Sequence, residues 1–237
     1  MIENIRIIGH RGARGAAIEN TLAALKTAAS LGIDAVEFDV RITKDKQPVV
    51  CHDENLKAVY GVNKNISDLT LDEIGTIKSA SGDTIPTLKE VIETKIGKPL
   101  ILDVKNPGSA ELIHQALSHS DVKNSWAAGS LYSDELTRLK QLYPSLEITI
   151  QTYKHPFKTI KAAKKINASG VTLVLYLLNP LTYWLARRAG LKVIIYQNYL
   201  SFLLTLPWFV KLLRLLYPAI AVITDRPDKI VPAIKRP

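Results

Sequence analysis

A (β/α)8 barrel is the fold that this 237-residue chain predicts. Three observations carry the prediction. Short apolar runs alternate with helical patterns from one end to the other. Eight such runs can be counted, each followed by a helical stretch, as a barrel requires. The length is close to the roughly 250 residues of a closed (β/α)8 domain. The rival is an open doubly wound sheet, which usually announces itself by a glycine-rich phosphate loop after its first strand. The segment Gly12, Ala13, Arg14, Gly15, Ala16, Ala17 matches that pattern poorly.

In chain order, the first strand is expected at 6–9 and the first helix at 21–31. The second strand spans 35–41, where Ala35, Val36, Phe38 and Val40 are apolar. The segment 53–86 then breaks the rhythm. It carries Gly61, Gly75, Gly82 and Pro86 and only a weak helical stretch near 71–77, so it reads as a small insertion after strand two. Barrels keep their active sites on that face. A helix at 87–96 restores the alternation. Strands at 99–105, 125–129, 147–152, 170–173 and 192–197 follow, with helices at 110–118, 134–143, 158–166, 181–189 and 207–216. A strand at 221–224 and a helix at 228–234 close the chain, and a single domain over 1–237 is expected.

Hydrophobic residues make up 47% of the chain and charged residues 22%, which suits a sizeable core and argues against disorder. The one cysteine, Cys51, excludes an intrachain disulfide framework. Met1 to Arg6 show neither a basic region nor a long apolar one, so the expected location is cytoplasmic. A formal charge of +9 favours anionic partners. Nucleic acid is not the expected one, because only 7% of residues are aromatic and the basic runs are no longer than the pairs Lys164, Lys165 and Arg187, Arg188.

Glu37 and Asp39 are the most informative residues. Side chains alternate along a strand, so acids at i and i+2 point to one side. On a buried strand such a pair needs a cation to offset repulsion and desolvation. Reactive residues of barrels sit at the C-terminal ends of strands. His10 directly follows strand one, Glu37 and Asp39 lie in the second half of strand two, and Asp103 and Lys105 close strand three as another i, i+2 pair. Three carboxylates from two adjacent strands can hold one octahedral Mg2+ or a roomier Ca2+. All-oxygen ligation argues against structural zinc.

His10 and His52 flank this site, which suggests metal-assisted phosphoryl chemistry with acid–base help. Arg11 and Gly12 add a cation and a flexible backbone suited to an oxyanion. Each residue also has a plainer reading. A buried acid can pair with a neighbouring strand, His10 can cap or pack, His52 can pair with Asp53 in a turn, and Lys105 can be an interior counter-ion or a phosphate contact. His114, His119 and His155 fall in helix or loop patterns and are given no chemistry.

Taken together, His10-Arg11-Gly12, Glu19-Asn20-Thr21, Glu37-Phe38-Asp39, Thr43-Lys44-Asp45, Pro48-Val49-Val50 and His52-Asp53 resemble the glycerophosphodiester phosphodiesterase family. Ile85-Pro86-Thr87-Leu88, Asp103-Val104-Lys105 and Thr224-Asp225-Arg226-Pro227 follow that family's order. The likeness runs over nearly the whole chain and is tightest in its first 55 residues. It implies a (β/α)8 barrel, one divalent cation and hydrolysis of a phosphodiester to an alcohol and a phosphomonoester. By position it makes Glu37, Asp39 and Asp103 the metal ligands and His10 and His52 the general base and acid. Arg11 and Lys105 would hold phosphate oxygens, with Glu19 and Asn20 supporting the site.

The chain departs from the family pattern at three places. Ile18 replaces a proline, Asp103 replaces a glutamate, and Ile195-Tyr196-Gln197-Asn198 stands where a tryptophan motif is usual. The aspartate resembles a sphingomyelinase D-like phospholipase branch, an alternative opposed by Glu19-Asn20-Thr21. A non-catalytic barrel binding phospholipid headgroups is the rival from another class. Residues 199–217 are unusually apolar. Pro207, Lys211 and Arg214 oppose a transmembrane helix there. The segment can instead pack on the barrel and a partner subunit, or serve as an apolar lip with Phe202, Trp208 and Phe209 against a membrane surface. The last reading motivates a lysophospholipid or other lipid substrate over a soluble glycerophosphodiester.

Overall fold

A computed structural model describes residues 6–118, 126–196 and 202–235. Eight of its strands are parallel: β1 (Ile7–Gly9), β2 (Ala35–Ile42), β4 (Leu100–Val104), β5 (Trp126–Ser130), β6 (Glu147–Thr152), β7 (Gly170–Val174), β8 (Lys192–Tyr196) and β9 (Ala221–Thr224). Each pairs with the next, and β1 pairs with both β9 and β2, so the sheet closes into a barrel. The ninth strand, β3 (Pro48–Val50), lies antiparallel on the far end of β2. Around the barrel run α1 (Leu22–Ser30), α4 (Leu88–Glu93), α5 (Ala110–Ser118), α6 (Ser133–Leu142), α7 (Pro156–Lys165), α8 (Pro180–Arg188), α9 (Pro207–Leu216) and α10 (Pro227–Lys235). Two short helices, α2 (Lys57–Tyr60) and α3 (Leu71–Gly75), belong to the insertion.

The period-2 alternation of the strands sorts side chains into two cores. Val36, Phe38 and Val40 of β2, with Leu100, Leu102 and Val104 of β4, join the large cluster that also takes in residues of the surrounding helices. Ala35 and Ile101 belong instead to a small cluster with Ile8, Ala127, Ile194 and Ala221, contributed by six different strands, which plugs the barrel interior. Glu37 and Asp39 share the inward parity of Ala35, and Asp103 that of Ile101. The plug fills one end of the interior, and the acids stand above it toward the C-terminal ends of the strands.

Several expected boundaries shift for local reasons. β3 was not expected, because a three-residue run is too short for a strand pattern and the loop before it has no glycine. Lys46 takes the left-handed backbone (φ +67°) that a glycine more readily supplies. Helix α7 starts at Pro156, two residues early, because proline's fixed φ suits the first turn. Helix α8 starts at Pro180, with Asn179 and Thr182 forming reciprocal cap bonds. Helix α4 is shorter than 87–96 and is opened by a Thr87/Glu90 capping box. The insertion packs on its own cluster of Val49, Cys51, Leu56, Tyr60, Ile66 and Ile74, and is more ordered than its glycines suggested. Its second helix is fastened by a Thr70/Glu73 capping box. The expected strand ends at 125 and 197 lie outside the described residues, as do His119, Asn198 and 199–201.

Candidate active site

Parallel register places the acids. Asp39 of β2 stands opposite Asp103 of β4, and Glu37 opposite Ile101. One ligand oxygen from each of Glu37, Asp39 and Asp103 lies within 4.8 Å of the others, and all three residues are buried. This is the only such group of three or more metal-capable side chains among the described residues.

The turn after β1 is shaped around these acids. Arg11 (φ +48°), Gly12 (φ +81°) and Asn20 (φ +59°) all take left-handed backbone. At Gly12 an added Cβ would stand 2.6 Å from the Ala24 carbonyl carbon, so both space and dihedral require glycine. The turn aims the Arg11 amide at Glu37 Oε2 (2.9 Å) and the Gly12 amide at the Glu37 carbonyl (3.0 Å). Asn20 clasps Asp39 from both sides. Its Nδ2 donates to Asp39 Oδ2 (2.8 Å), and the Asp39 amide donates to its Oδ1 (3.1 Å). Glu19 holds Arg11 Nη1 at 2.6 Å and Arg14 Nε at 2.9 Å. Two non-glycine residues in strained backbone beside buried acids are the kind of outlier that marks a functional turn.

Electrostatics divides the acids. Burial works to raise Asp39, but Lys105 (2.8 Å) and then Arg11 (3.4 Å) overcome it and hold that carboxyl well below the usual range. Glu37 goes the other way, lifted well above the ordinary value by burial and then by the Asp39 and Asp103 carboxylates. Asp103 is also raised, chiefly by burial, although Lys105 pairs with it directly. Lys105 itself is held above its ordinary range by Asp39 and Asp103, against the effect of burial. One ammonium shared by two aspartates therefore leaves the cluster short of positive charge at Glu37. Three buried oxygen donors with such a deficit fit a hard divalent cation.

The histidines flank this cluster. His10 and His52 line the same cavity of about 590 Å3 as the three acids. His10 Nδ1 sits 2.5 Å from Asp225 Oδ1, and His52 Nδ1 sits 2.7 Å from Asp53 Oδ1. Arg41 Nε also fixes the His52 carbonyl at 2.7 Å. The turn pairing foreseen for His52 is thus present, and it engages one ring nitrogen. Arg11 and Lys105, expected on phosphate oxygens, are paired with acids here, and Arg11 Nε is buried without a hydrogen-bond partner.

Sequence reasoning gave no role to Asp225, Gln151 or the tyrosines. Asp225 immediately follows β9, so the strand-end rule that found His10 points to it as well. Tyr153, Tyr176 and Tyr196 line the cavity, with the Tyr153 and Tyr196 rings edge-to-face at 5.7 Å. Tyr196 stands where the tryptophan motif is missing, so an aromatic wall is retained.

Fold and site together define a (β/α)8 barrel with a buried acidic triad between two carboxylate-backed histidines at its C-terminal mouth. The chain belongs to the glycerophosphoryl diester phosphodiesterase family, whose model matches residues 10–229. A human lysophospholipase D is 43% identical over 111 residues, covering 41% of this chain and 35% of the relative. The matched region therefore spans about a third of that longer protein. A glycerophosphodiester phosphodiesterase of Caldanaerobacter subterraneus is 31% identical over 156 residues, covering 60% of this chain and 64% of the relative. Among solved structures, an Oleispira antarctica phosphodiesterase in complex with the product sn-glycerol-3-phosphate superimposes with a TM-score of 0.87 at 25% identity, covering 98% of this chain and 97% of the other. A glycerophosphodiester phosphodiesterase of Thermotoga maritima shares the fold at a TM-score of 0.79 and 23% identity, covering 97% and 98%.

Proposed function

We propose that this protein hydrolyses a phosphodiester, either a glycerophosphodiester or a lysophospholipid, to an alcohol and a glycerol phosphate or lysophosphatidate. The observation that carries the reading is the convergence of the buried Glu37, Asp39 and Asp103 with His10 and His52 on one cavity. In this reading the three acids hold one divalent cation, Mg2+ or Ca2+. When bound, the cation supplies charge that offsets the non-bridging phosphoryl oxygens. Arg11 and Lys105 add to that neutralisation, since an anionic diester resists attack until its charge is balanced.

The two imidazoles then move the protons. His10, with Asp225 behind its ring, removes the proton from the nucleophile, which is water or a neighbouring substrate hydroxyl. A carboxylate on Nδ1 fixes the tautomer and favours the imidazolium that forms. His52 acts in its protonated form and gives that proton to the leaving oxygen; burial pushes its pKa below the ordinary 6.5, which makes the proton easier to release. A positioned acid or base of this kind contributes about 10²–10⁴-fold. Glu19 and Asn20 keep Arg11 and Asp39 in place. The location proposed is cytoplasmic, with peripheral membrane contact through 199–217 when the substrate is a lipid.

The test is a phosphorus NMR product assay with glycerophosphocholine and lysophosphatidylcholine side by side, with and without chelator. Chelator-sensitive release of a phosphomonoester from either substrate supports the reading. No turnover of either, or turnover indifferent to chelator, contradicts it.

A further inference from the structure

The chain's charge is concentrated in one stretch. Residues 148–224 hold ten lysines and arginines and no aspartate or glutamate, while the remaining 160 residues are nearly balanced, with 21 basic against 22 acidic. The whole of the +9 therefore lies in the stretch that begins inside β6, just after Glu147, and ends with β9. Lys192 is enclosed in the barrel, and the other nine cations are exposed or half-exposed.

The same stretch holds nine of the eleven bulky apolar side chains exposed among the described residues. Helix α9 shows the pattern most clearly. Val210 and Leu213 are buried, while Trp208, Leu212, Leu215 and Leu216 are exposed alongside Lys211. On α8, Leu181 and Trp184 are exposed, and Arg188 lies over the Trp184 ring at 5.0 Å. On α7, Phe157 and Lys158 are exposed in the first turn.

Each of these helices follows the C-terminal end of its strand, so its first turns lie on the cavity side. Phe157, Leu181, Phe202 and Trp208 thus ring the mouth on the side away from the acids, next to Tyr176, which lines the cavity and is itself exposed.

We infer that this sector docks on an anionic lipid bilayer through the exposed flank of α7, α8 and α9, with the cavity mouth beside the headgroup layer. Charge complementarity selects this partner, since a stretch with ten cations and no acid of its own suits an anionic surface. The exposed aliphatic and indole side chains separate it from nucleic acid, whose phosphates offer them nothing to bury against. The surface extends well beyond the lip at 199–217 and includes α7 and α8. Vesicle binding stands independently of the proposed chemistry, whereas delivery of a lipid substrate to the cavity rests on the phosphodiesterase reading.

The test is co-sedimentation of the full chain with phosphatidylcholine vesicles, with and without about 30 mol% phosphatidylglycerol, at ~50 and ~500 mM NaCl. Binding to the anionic vesicles at low salt is expected to be at least ~10-fold tighter than to the neutral ones, and to collapse at high salt. The pairs Trp184→Ser/Trp208→Ser and Lys158→Glu/Lys161→Glu should each weaken it about tenfold while leaving hydrolysis of a soluble glycerophosphodiester unchanged. Unchanged soluble turnover, or an unaltered circular dichroism spectrum, shows that the variants fold. Absence of binding to anionic vesicles overturns the inference. So does loss through the lysine pair alone with no effect of the tryptophan pair, which would reduce the face to a generic cationic patch. A protein that binds vesicles but hydrolyses nothing refutes the proposed function alone, and an active protein indifferent to vesicles refutes this inference alone.

Discussion

Behind each imidazole in the cavity stands a carboxylate, Asp225 for His10 and Asp53 for His52. Burial works to raise Asp225, but its hydrogen bond to His10 and the charge of that ring overcome it and keep the acid ionised. Asp225→Asn should therefore leave the fold intact and lower kcat by about 10²-fold or more, with little change in KM, because the ring loses its tautomer and its counter-charge. Steady-state kinetics on the variant checks this. At His52 the linkage has a definite sign. Burial is the main cause that lowers its pKa, with Arg11 and Lys105 adding to it against Asp39. In the unfolded chain the ring takes its proton near 6.5, and in the folded protein only at lower pH. Between those values the unfolded state binds more protons, so this group's contribution to stability is complete above pH 6.5 and shrinks as pH falls through the window. NMR titration of the His52 ring is expected to give a midpoint below 6.5, and a midpoint above it would mean that Asp39 and Asp53 outweigh burial at this ring. At this scale the acids were legible in sequence because i, i+2 parity is local. The His10–Asp225 pair was not, because it joins residues 215 positions apart and exists only once β9 closes on β1.

Among the elements, β2 carries two requirements at once. Its inward positions hold Glu37 and Asp39, and its outward positions hold Val36, Phe38 and Val40 against the helices. Phe38 is fully buried and meets Trp126 edge-on, with ring centroids 6.3 Å apart. Phe38→Ala should cost about 3–5 kcal/mol, the range for emptying a packed aromatic site, as read from a denaturant midpoint. A loss under about 1 kcal/mol would mean that the site collapses around the void. The parity of this strand made its core face and its acid face readable together. Strand β3 and the fold of the insertion were less readable. A three-residue strand has no period to detect, and Lys46 supplies a turn conformation for which sequence offers no glycine. The insertion's order comes from its own apolar cluster under short capped helices, spread too thinly along the chain to form a pattern.

For the whole molecule, barrel closure turns a linear motif into a site. Residues from the turn after β1, the strands β2 and β4, the loop after β3 and the end of β9 meet at one mouth. The opposite arc contributes an aromatic wall and a cationic, apolar shoulder. The eightfold alternation made the architecture legible from sequence. The arc's role was not, because exposure is decided only when the helices turn one face to the barrel. Among the described residues no helix is long and apolar enough to cross a membrane, and α9 runs for ten residues from Pro207 to Leu216. Whether Glu37, Asp39 and Asp103 are gathered to hold one divalent cation is decided by calorimetric titration of the chelator-treated protein with Mg2+ and Ca2+. One ion should bind per chain, and that binding should be lost in Glu37→Gln, Asp39→Asn and Asp103→Asn. A wild-type protein that binds neither ion, or variants that bind as the wild type does, would contradict it.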